Sequence, residues 1–423
     1  MEHKKLIWKK LPPTPPDPIL NIWMKCLKDP RPYKVNLTAG IYKDENLRPF
    51  VIEPIKILVK ELTNSNDTSI YDPIESIKDT RTADLLIKEF FDENNKDYQK
   101  ALAEDRVCRY PCQSGGNGLY FGFKLYTETF QKKYAFADNQ IPTVWLSNPS
   151  WPIHQSMSEM HGYNIKYYNY YNSKTCKMEF EVVMKDLSSL KKGDLLLIQT
   201  CGHNPTGFDP SSENWHELVK LIKEKEAIVF FDFAYMGFAT GDIEKDSYGI
   251  KLFLKENIEF YLTFSCAKNF GLYSLRVGFF MTVHQHHEDT KATNDFIQKT
   301  SRQLFDRPTS FGQMVVRNIL SDKDKRLRWH DSFKLMNQRL TLMRHQLVSG
   351  LKELGSKINW DFLIEQTGMF AYTGLTKGEI EELMNNYAIF MISSGRISMA
   401  GLNHENVGIV AHSFHEVTKK RGK

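Results

Sequence analysis

Asp194-Leu195-Leu196-Leu197-Ile198-Gln199-Thr200-Cys201-Gly202-His203-Asn204 and, further along, Ala227-Ile228-Val229-Phe230-Phe231-Asp232-Phe233-Ala234-Tyr235 are each a continuous apolar run that stops at polar groups. Between them Trp215, Leu218, Val219 and Ile222 recur at helical spacing behind Ser211 and Ser212, either of which can cap a helix. Strand, helix, strand in that order predicts a βαβ unit of a parallel sheet. Ligands of such sheets bind beyond the carboxyl ends of the strands. Asn204, Asp232 and Tyr235 stand at those ends. A third apolar stretch, Phe260 to Phe264, leads into Ser265-Cys266-Ala267-Lys268-Asn269-Phe270-Gly271-Leu272-Tyr273, with Arg276 just beyond.

Lys268 is thereby held at the edge of a sheet, where water cannot fully hydrate an ammonium. A desolvated lysine with cationic company loses its proton readily and becomes a nucleophile toward carbonyls, the chemistry of a Schiff base with pyridoxal phosphate. An acidic residue directly after an apolar strand needs a partner, and a protonated pyridine nitrogen beside Asp232 would be one, keeping the ring an electron sink. Asn204 and Tyr235 can hydrogen-bond the ring's phenolic oxygen. Ser114-Gly115-Gly116-Asn117-Gly118 reads as a Gly-rich turn before a helix from Leu119 to Tyr126. Its backbone N–H groups could cradle a phosphate, with Ser265 and Arg276 adding a hydroxyl and a guanidinium. Singly, each motif has a plainer reading: a surface lysine, a helix-capping aspartate, an ordinary turn. Their order along one chain is what points to a shared site.

These residues, with Asn148-Pro149-Ser150-Trp151, resemble the fold type I pyridoxal-phosphate aminotransferases, and most closely the aspartate subgroup of eukaryotic type. The likeness continues through Pro15 to Leu20, Val35 to Tyr42, Tyr71 to Ile74, Tyr167 to Asn169, Lys174 to Cys176, Arg302, Pro308, Gly368 to Phe370 and Ser393 to Ser398. It implies an α/β fold: a large doubly wound, mostly parallel sheet domain (50–335), a smaller α+β domain (25–49 with 336–423) and an N-terminal arm (1–24) to a partner subunit. A long helix near Trp329 to Leu354 would join the domains.

By the same resemblance Lys268 carries the coenzyme and shuttles a proton. Asp232 partners the ring nitrogen with His154 behind it, Trp151 stacks on the ring, and Asn204 and Tyr235 bind the phenolic oxygen. Ser114, Gly115, Gly116, Ser265 and Arg276 form the phosphate cup, and Tyr71 reaches the phosphate from the other subunit of a homodimer. Gly40, Trp151, Asn204 and Arg396 face the substrate. Arg396 clamps its α-carboxylate, and Arg302 reaches across the dimer to a second carboxylate. The implied reaction is ping-pong transamination of L-aspartate and 2-oxoglutarate. An aromatic amino acid or kynurenine aminotransferase, another pyridoxal-phosphate reaction on aspartate and a non-catalytic paralogue remain alternatives.

Some positions depart from the pattern. Phe305-Asp306-Arg307-Pro308-Thr309 replaces an aromatic, a serine, a small polar residue and two prolines. Gly116 stands where Thr is common, Leu275 where an acid is common, and Gln199 where His often lies behind the ring.

Composition fits this reading. A chain of 423 residues, 41% hydrophobic and 25% charged, can bury a substantial core and form two domains. Its net charge of +5 is modest, and the basic runs Lys4, Lys5, Lys9, Lys10 and Lys419 to Lys423 lie at the ends, giving nucleic-acid binding little support. No run approaches a membrane span. Six scattered cysteines suggest a reducing compartment. The extension before Pro15 is a poor transit peptide, so cytoplasm ranks first and mitochondrial matrix second. His284-Gln285-His286-His287-Glu288 reads as a solvated loop, and Cys108 and Cys112 lack the second pair that zinc would need, so no metal is expected.

Overall fold

The computed structural model describes residues 16–64, 80–133, 142–306 and 308–421. Tyr71, Arg307 and the first part of the expected arm lie outside these residues. The strands are β1 (Val35–Asn36), β2 (Val107–Cys112), β3 (Thr143–Asn148), β4 (Asn164–Asn169), β5 (Leu195–Gln199), β6 (Ile228–Phe233), β7 (Phe260–Ser265), β8 (Gly278–Val283), β9 (Phe370–Tyr372), β10 (Ile389–Phe390) and β11 (Arg396–Ser398).

A seven-stranded sheet in the order β2-β8-β7-β6-β5-β3-β4 forms the centre. Neighbours from β7 to β4 pair in parallel, and β8 alone runs antiparallel to both β7 and β2. The apolar runs behave as strands covered on both faces: every residue of β5, β7 and β8 is buried. The reversed β8 matters for the site. Arg276 precedes β8 just as Lys268 follows β7, so both arrive at the same edge of the sheet.

The helix between β5 and β6 is Ser212–Lys225, with Ser211 and Asn214 forming a reciprocal cap and Trp215, Leu218, Val219 and Ile222 buried, as the spacing predicts. The Gly-rich segment differs from expectation. It is no separate turn; the helix starts at Gly115 and runs to Lys133. Close packing explains the glycines. A Cβ on Gly118 would lie 2.1 Å from Thr263 Oγ1, and one on Gly122 would lie 2.2 Å from Phe230 Cζ. The helix therefore lies almost directly on β6 and β7.

A 31-residue helix, Lys323–Glu353, starts six residues earlier than expected because Asp322 accepts from the Asp324 and Lys325 N–H groups. It backs the Lys268 turn: the Trp329 indole donates to the Asn269 carbonyl (2.9 Å), and Phe270 stacks on its ring at 4.5 Å. Two small sheets lie outside the central one, β1 parallel to β10 and β9 antiparallel to β11. They touch where the Ser398 N–H donates to the Leu37 carbonyl (2.8 Å). Helix Pro18–Lys28, capped by Asp17, crosses the expected arm boundary at residue 24 and packs Cys26 against Ala388 and Phe390. The polar run from His284 is only partly loop, since His287 opens helix His287–Phe305 and the buried His284 ring lies 2.7 Å from Thr282 Oγ1. No helix among the described residues is long and apolar enough to cross a membrane.

Candidate active site

A cavity of about 250 Å³ opens at the carboxyl edge of the sheet. One end is lined by Ser114, Gly115, Gly116, Ser265 and Arg276. Ser114 caps the helix that follows, its hydroxyl accepting from the Asn117 N–H at 3.2 Å, so the positive end of that helix faces the cavity. Arg276 holds a left-handed backbone (φ 53°), a conformation uncommon outside glycine, and its Nη1 donates to the Tyr273 carbonyl (3.1 Å). Hydroxyls, helix N–H groups and a guanidinium make this end a ready anion cradle.

Lys268 lies in the middle of the cavity, half-buried, with Nζ 4.8 Å from the centre of the Tyr235 ring. Burial pushes its pKa down; Asp232 pulls it up and the Arg276 charge presses it down again. The amine is thus easier to deprotonate than an ordinary lysine. Asp232 is buried in β6, and its Oδ2 lies 2.9 Å from Nε2 of the fully buried His154. A carboxylate only accepts, so that nitrogen carries the proton, and Nδ1 turns to Ser150 Oγ at 3.0 Å. Trp151 stands edge-on to His154, the ring centres 5.3 Å apart.

The other end is built around Arg396, which enters from β11 and is 4% exposed. Its Nη1 donates to Asn204 Oδ1 (3.1 Å), its Nη2 to the Thr38 carbonyl (2.6 Å), and its guanidinium lies over the Phe370 ring at 4.3 Å. Its Nε has no hydrogen-bond partner, and burial pushes its pKa down to about 10. Burial drives the pKa of the Tyr235 phenol up against the opposing pull of Arg396 and Asn204, so that phenol stays neutral. Gln199 fixes Asn204 from behind. Its amide nitrogen donates to the Asn204 carbonyl and its amide oxygen accepts from the Asn204 N–H, both at 2.9 Å.

The cavity thus gathers Gly40, Ser114, Gly115, Gly116, Trp151, Asn204, Asp232, Tyr235, Ser265, Lys268, Arg276 and Arg396, all singled out from sequence. Arg302 is absent from its lining; it is exposed on the last turn of helix His287–Phe305, and Asp306 caps that helix with φ 61°. Sequence reading assigned no part to Phe370, Tyr273, Ile19 or the Thr38 carbonyl. Tyr273 also lines the cavity and its hydroxyl accepts from the Tyr42 N–H (2.8 Å), and Ile19 closes one wall. Ile19, Thr38 and Phe370 fall in stretches that carry the resemblance, but nothing there assigns a role to a backbone carbonyl or an aromatic shelf.

Residues 32–414 match the model of the family described as aminotransferase class I and II. The chain belongs to the class I and II aminotransferases. This aminotransferase is 35% identical over 414 residues to the mitochondrial aspartate aminotransferase of Xenopus tropicalis, covering 97% of its own length and 93% of the relative's. Its fold superimposes on the cytoplasmic aspartate aminotransferase of Saccharomyces cerevisiae with a TM-score of 0.90, at 31% identity over 98% of this chain and 99% of that one. An aromatic-amino-acid aminotransferase of Burkholderia pseudomallei, solved with pyridoxal phosphate covalently bound, gives 0.89 at 25% identity, with 97% and 99% covered.

Proposed function

We propose that this aminotransferase uses pyridoxal phosphate to exchange the amino group of L-aspartate with 2-oxoglutarate, yielding oxaloacetate and L-glutamate. The observation that carries the reading is Arg396. A buried guanidinium on the cavity wall, with an unpartnered Nε and only neutral acceptors on its other nitrogens, lacks an anion. A planar α-carboxylate would supply one. Likeness to proteins named aspartate aminotransferase in Xenopus and yeast supports aspartate as the substrate here, and the coenzyme on the Burkholderia enzyme supports pyridoxal phosphate.

The donor set fits that coenzyme: an anion cradle at one end, an amine in the middle and a buried carboxylate across from it. Ser114, Gly115, Gly116, Ser265 and Arg276 would hold its phosphate. Bound there, pyridoxal phosphate supplies a carbonyl carbon for amines and a ring that draws electron density from the substrate Cα. Lys268, with its depressed basicity, would be the amine that holds the coenzyme and, when free, would take and return the Cα proton as a base. Asp232, oriented by His154, holds a proton on the ring nitrogen. Asn204 and Tyr235 would donate to the phenolic oxygen, and Trp151 would pack against the ring. Arg396 orients the substrate by its carboxylate.

The side-chain carboxylate of aspartate needs a second cation, and Arg302 of a second copy is the proposed one, with Tyr71 contributing from the same copy to the phosphate. The exposed position of Arg302 leaves it available to a neighbour. Homodimerisation and two domains, the smaller built on the β1–β10 and β9–β11 pairs, belong to the same proposal. A reducing compartment, cytoplasm before mitochondrial matrix, fits the six unpaired cysteines.

The test is optical. Aspartate added to the loaded protein should abolish the visible band of bound pyridoxal phosphate and release oxaloacetate, and 2-oxoglutarate should restore the band. A spectrum indifferent to aspartate would end this reading. For Arg302→Ala, kcat/KM for aspartate should fall roughly 10- to 100-fold while that for phenylalanine changes little; equal losses would remove Arg302 from specificity.

A further inference from the structure

Asp209 lies outside the cavity, yet it joins the two segments that set the Arg396 wall. Its Oδ2 accepts from the Gly202 N–H (2.7 Å) and the Thr367 hydroxyl (3.0 Å), and its Oδ1 from the His203 N–H (3.0 Å). Gly202 and His203 lead directly into Asn204, which accepts from Arg396. Thr367 leads into β9, where the Phe370 ring supports the same guanidinium.

The surroundings make this junction tight. The Gly207 carbonyl accepts from the Thr367 N–H (2.6 Å) and lies 3.2 Å from the Thr367 hydroxyl, whose one proton goes to the nearer Asp209 Oδ2. Gly202 and Gly368 meet backbone to backbone, so that a Cβ on Gly368 would lie 3.0 Å from Gly202 Cα. On the far side the buried Arg344 donates from Nη2 to the carbonyls of Gly368 (2.6 Å) and Phe370 (2.9 Å). Two of the three segments that touch Arg396, those bearing Asn204 and Phe370, are therefore referenced to one carboxylate, and the third is the Thr38 carbonyl. An amide could not replace it, because three donors converge on its two oxygens and an NH₂ would face one of them.

We propose that Asp209 is a positioning residue for α-carboxylate recognition: through Thr367 it fixes the spacing between Asn204 and Phe370, and so the direction in which the Arg396 guanidinium points. This rests on Arg396 being the carboxylate clamp. Asp209 is absent from the cavity lining and acts only through Thr367 and the Gly202–His203 turn, so its effect falls on KM rather than on Lys268.

The experiment compares Thr367→Val, Thr367→Ser and Asp209→Asn in the pyridoxal-phosphate-loaded enzyme, with Arg396→Lys as reference. Thr367→Val removes one hydroxyl and leaves the backbone contacts in place. We expect KM for aspartate and for glutamate to rise about 10-fold, the lower range for a hydrogen bond to a charged group, with kcat within about twofold and the visible band of the coenzyme unchanged. Thr367→Ser keeps the hydroxyl and should restore KM to within about twofold. Asp209→Asn should raise KM further, and adding Thr367→Val to it should change little. An unchanged KM in Thr367→Val, or a rise that serine does not restore, overturns the proposal if Arg396→Lys still raises KM. If Arg396→Lys itself leaves KM unaltered, the carboxylate reading falls and this inference falls with it.

Discussion

At one end of the cavity Ser114, Ser265, Lys268 and Arg276 all end, follow or precede strands of a single sheet, whereas at the other Asn204 comes from the loop after β5 and Thr38, Phe370 and Arg396 from the two small sheets and their flanks. The first end is positioned by backbone register. Ser265 pairs with Gly278, and the Cys266 N–H donates to the Val277 carbonyl (3.0 Å), so the turns bearing Lys268 and Arg276 cannot shift independently. The second end joins two backbone units, the loop after β5 that bears Asn204 and the β9–β11 pair in which Arg396 faces Tyr372, and these are tied to each other by side chains, namely the Gln199 amide, the Asp209 carboxylate and the Phe370 ring. Substitutions at the first end should therefore damage coenzyme chemistry, and those at the second should redistribute substrate affinity.

The sharpest contrast is between Lys268 and Arg396. Lys268→Ala removes both the covalent link and the base, so turnover should drop by at least about 10²- to 10⁴-fold, the range for a positioned general base. Coenzyme should still bind noncovalently, held by the anion cradle. Steady-state rates with equilibrium dialysis of pyridoxal phosphate would check both halves; a variant retaining wild-type turnover would remove Lys268 from the centre of the chemistry. Arg396→Lys keeps the charge and loses the planar fork. KM for every amino acid should rise about 10- to 100-fold, with coenzyme affinity unaltered. Should the two variants behave alike in coenzyme affinity and KM, the division between the ends would be wrong.

This division also explains what could be read from sequence. The coenzyme end was legible because its residues sit at fixed distances from apolar runs: Asp232 after IVFF, Lys268 after Phe264, Ser114 before the helix. Periodicity finds a strand, and the end of a strand finds the residue. Arg396 was found by resemblance, but nothing marked its supports. Phe370 meets it by folding across 26 positions of chain, and Thr38 contributes only a carbonyl, which any residue possesses. The same limit applies to Gln199, whose clamp on Asn204 depends on the loop that follows β5. The Gly-rich segment was misjudged for another reason. Its glycines look like turn residues, but the approach of Thr263 and Phe230 that requires them belongs to the packed sheet.

Charge offers a finer probe of the coenzyme end. Burial and the Arg276 cation depress the Lys268 pKa, while the Asp232 anion opposes them. In the coenzyme-free protein, Arg276→Gln should therefore raise the pKa of this amine, moving its loss of a proton to higher pH, and Asp232→Asn should lower it. Following the pH dependence of amine modification at Lys268 would test both signs. Shifts in the same direction for the two variants would contradict the arrangement.

The smallest expected effect concerns the helix that carries the cradle. Gly116 and Gly118 share one helical turn, yet their surroundings differ: a Cβ at Gly116 would sit 3.7 Å from Ser114 Oγ, an ordinary contact, while one at Gly118 would overlap Thr263 Oγ1 at 2.1 Å. Thr263 is fully buried and spends its hydroxyl on the Gly115 carbonyl (2.8 Å), so it cannot yield without losing that bond. Gly118→Ala should cost about 1–3 kcal/mol through overpacking, more than the helix gains from alanine. Gly116→Ala should be neutral or stabilise the coenzyme-free protein by up to about 1 kcal/mol, because alanine restricts the unfolded chain. Urea unfolding of the two variants measures the difference directly. Equal midpoints would mean that the helix does not rest on β7, and the register that positions Ser114 against Ser265 would lose its physical basis.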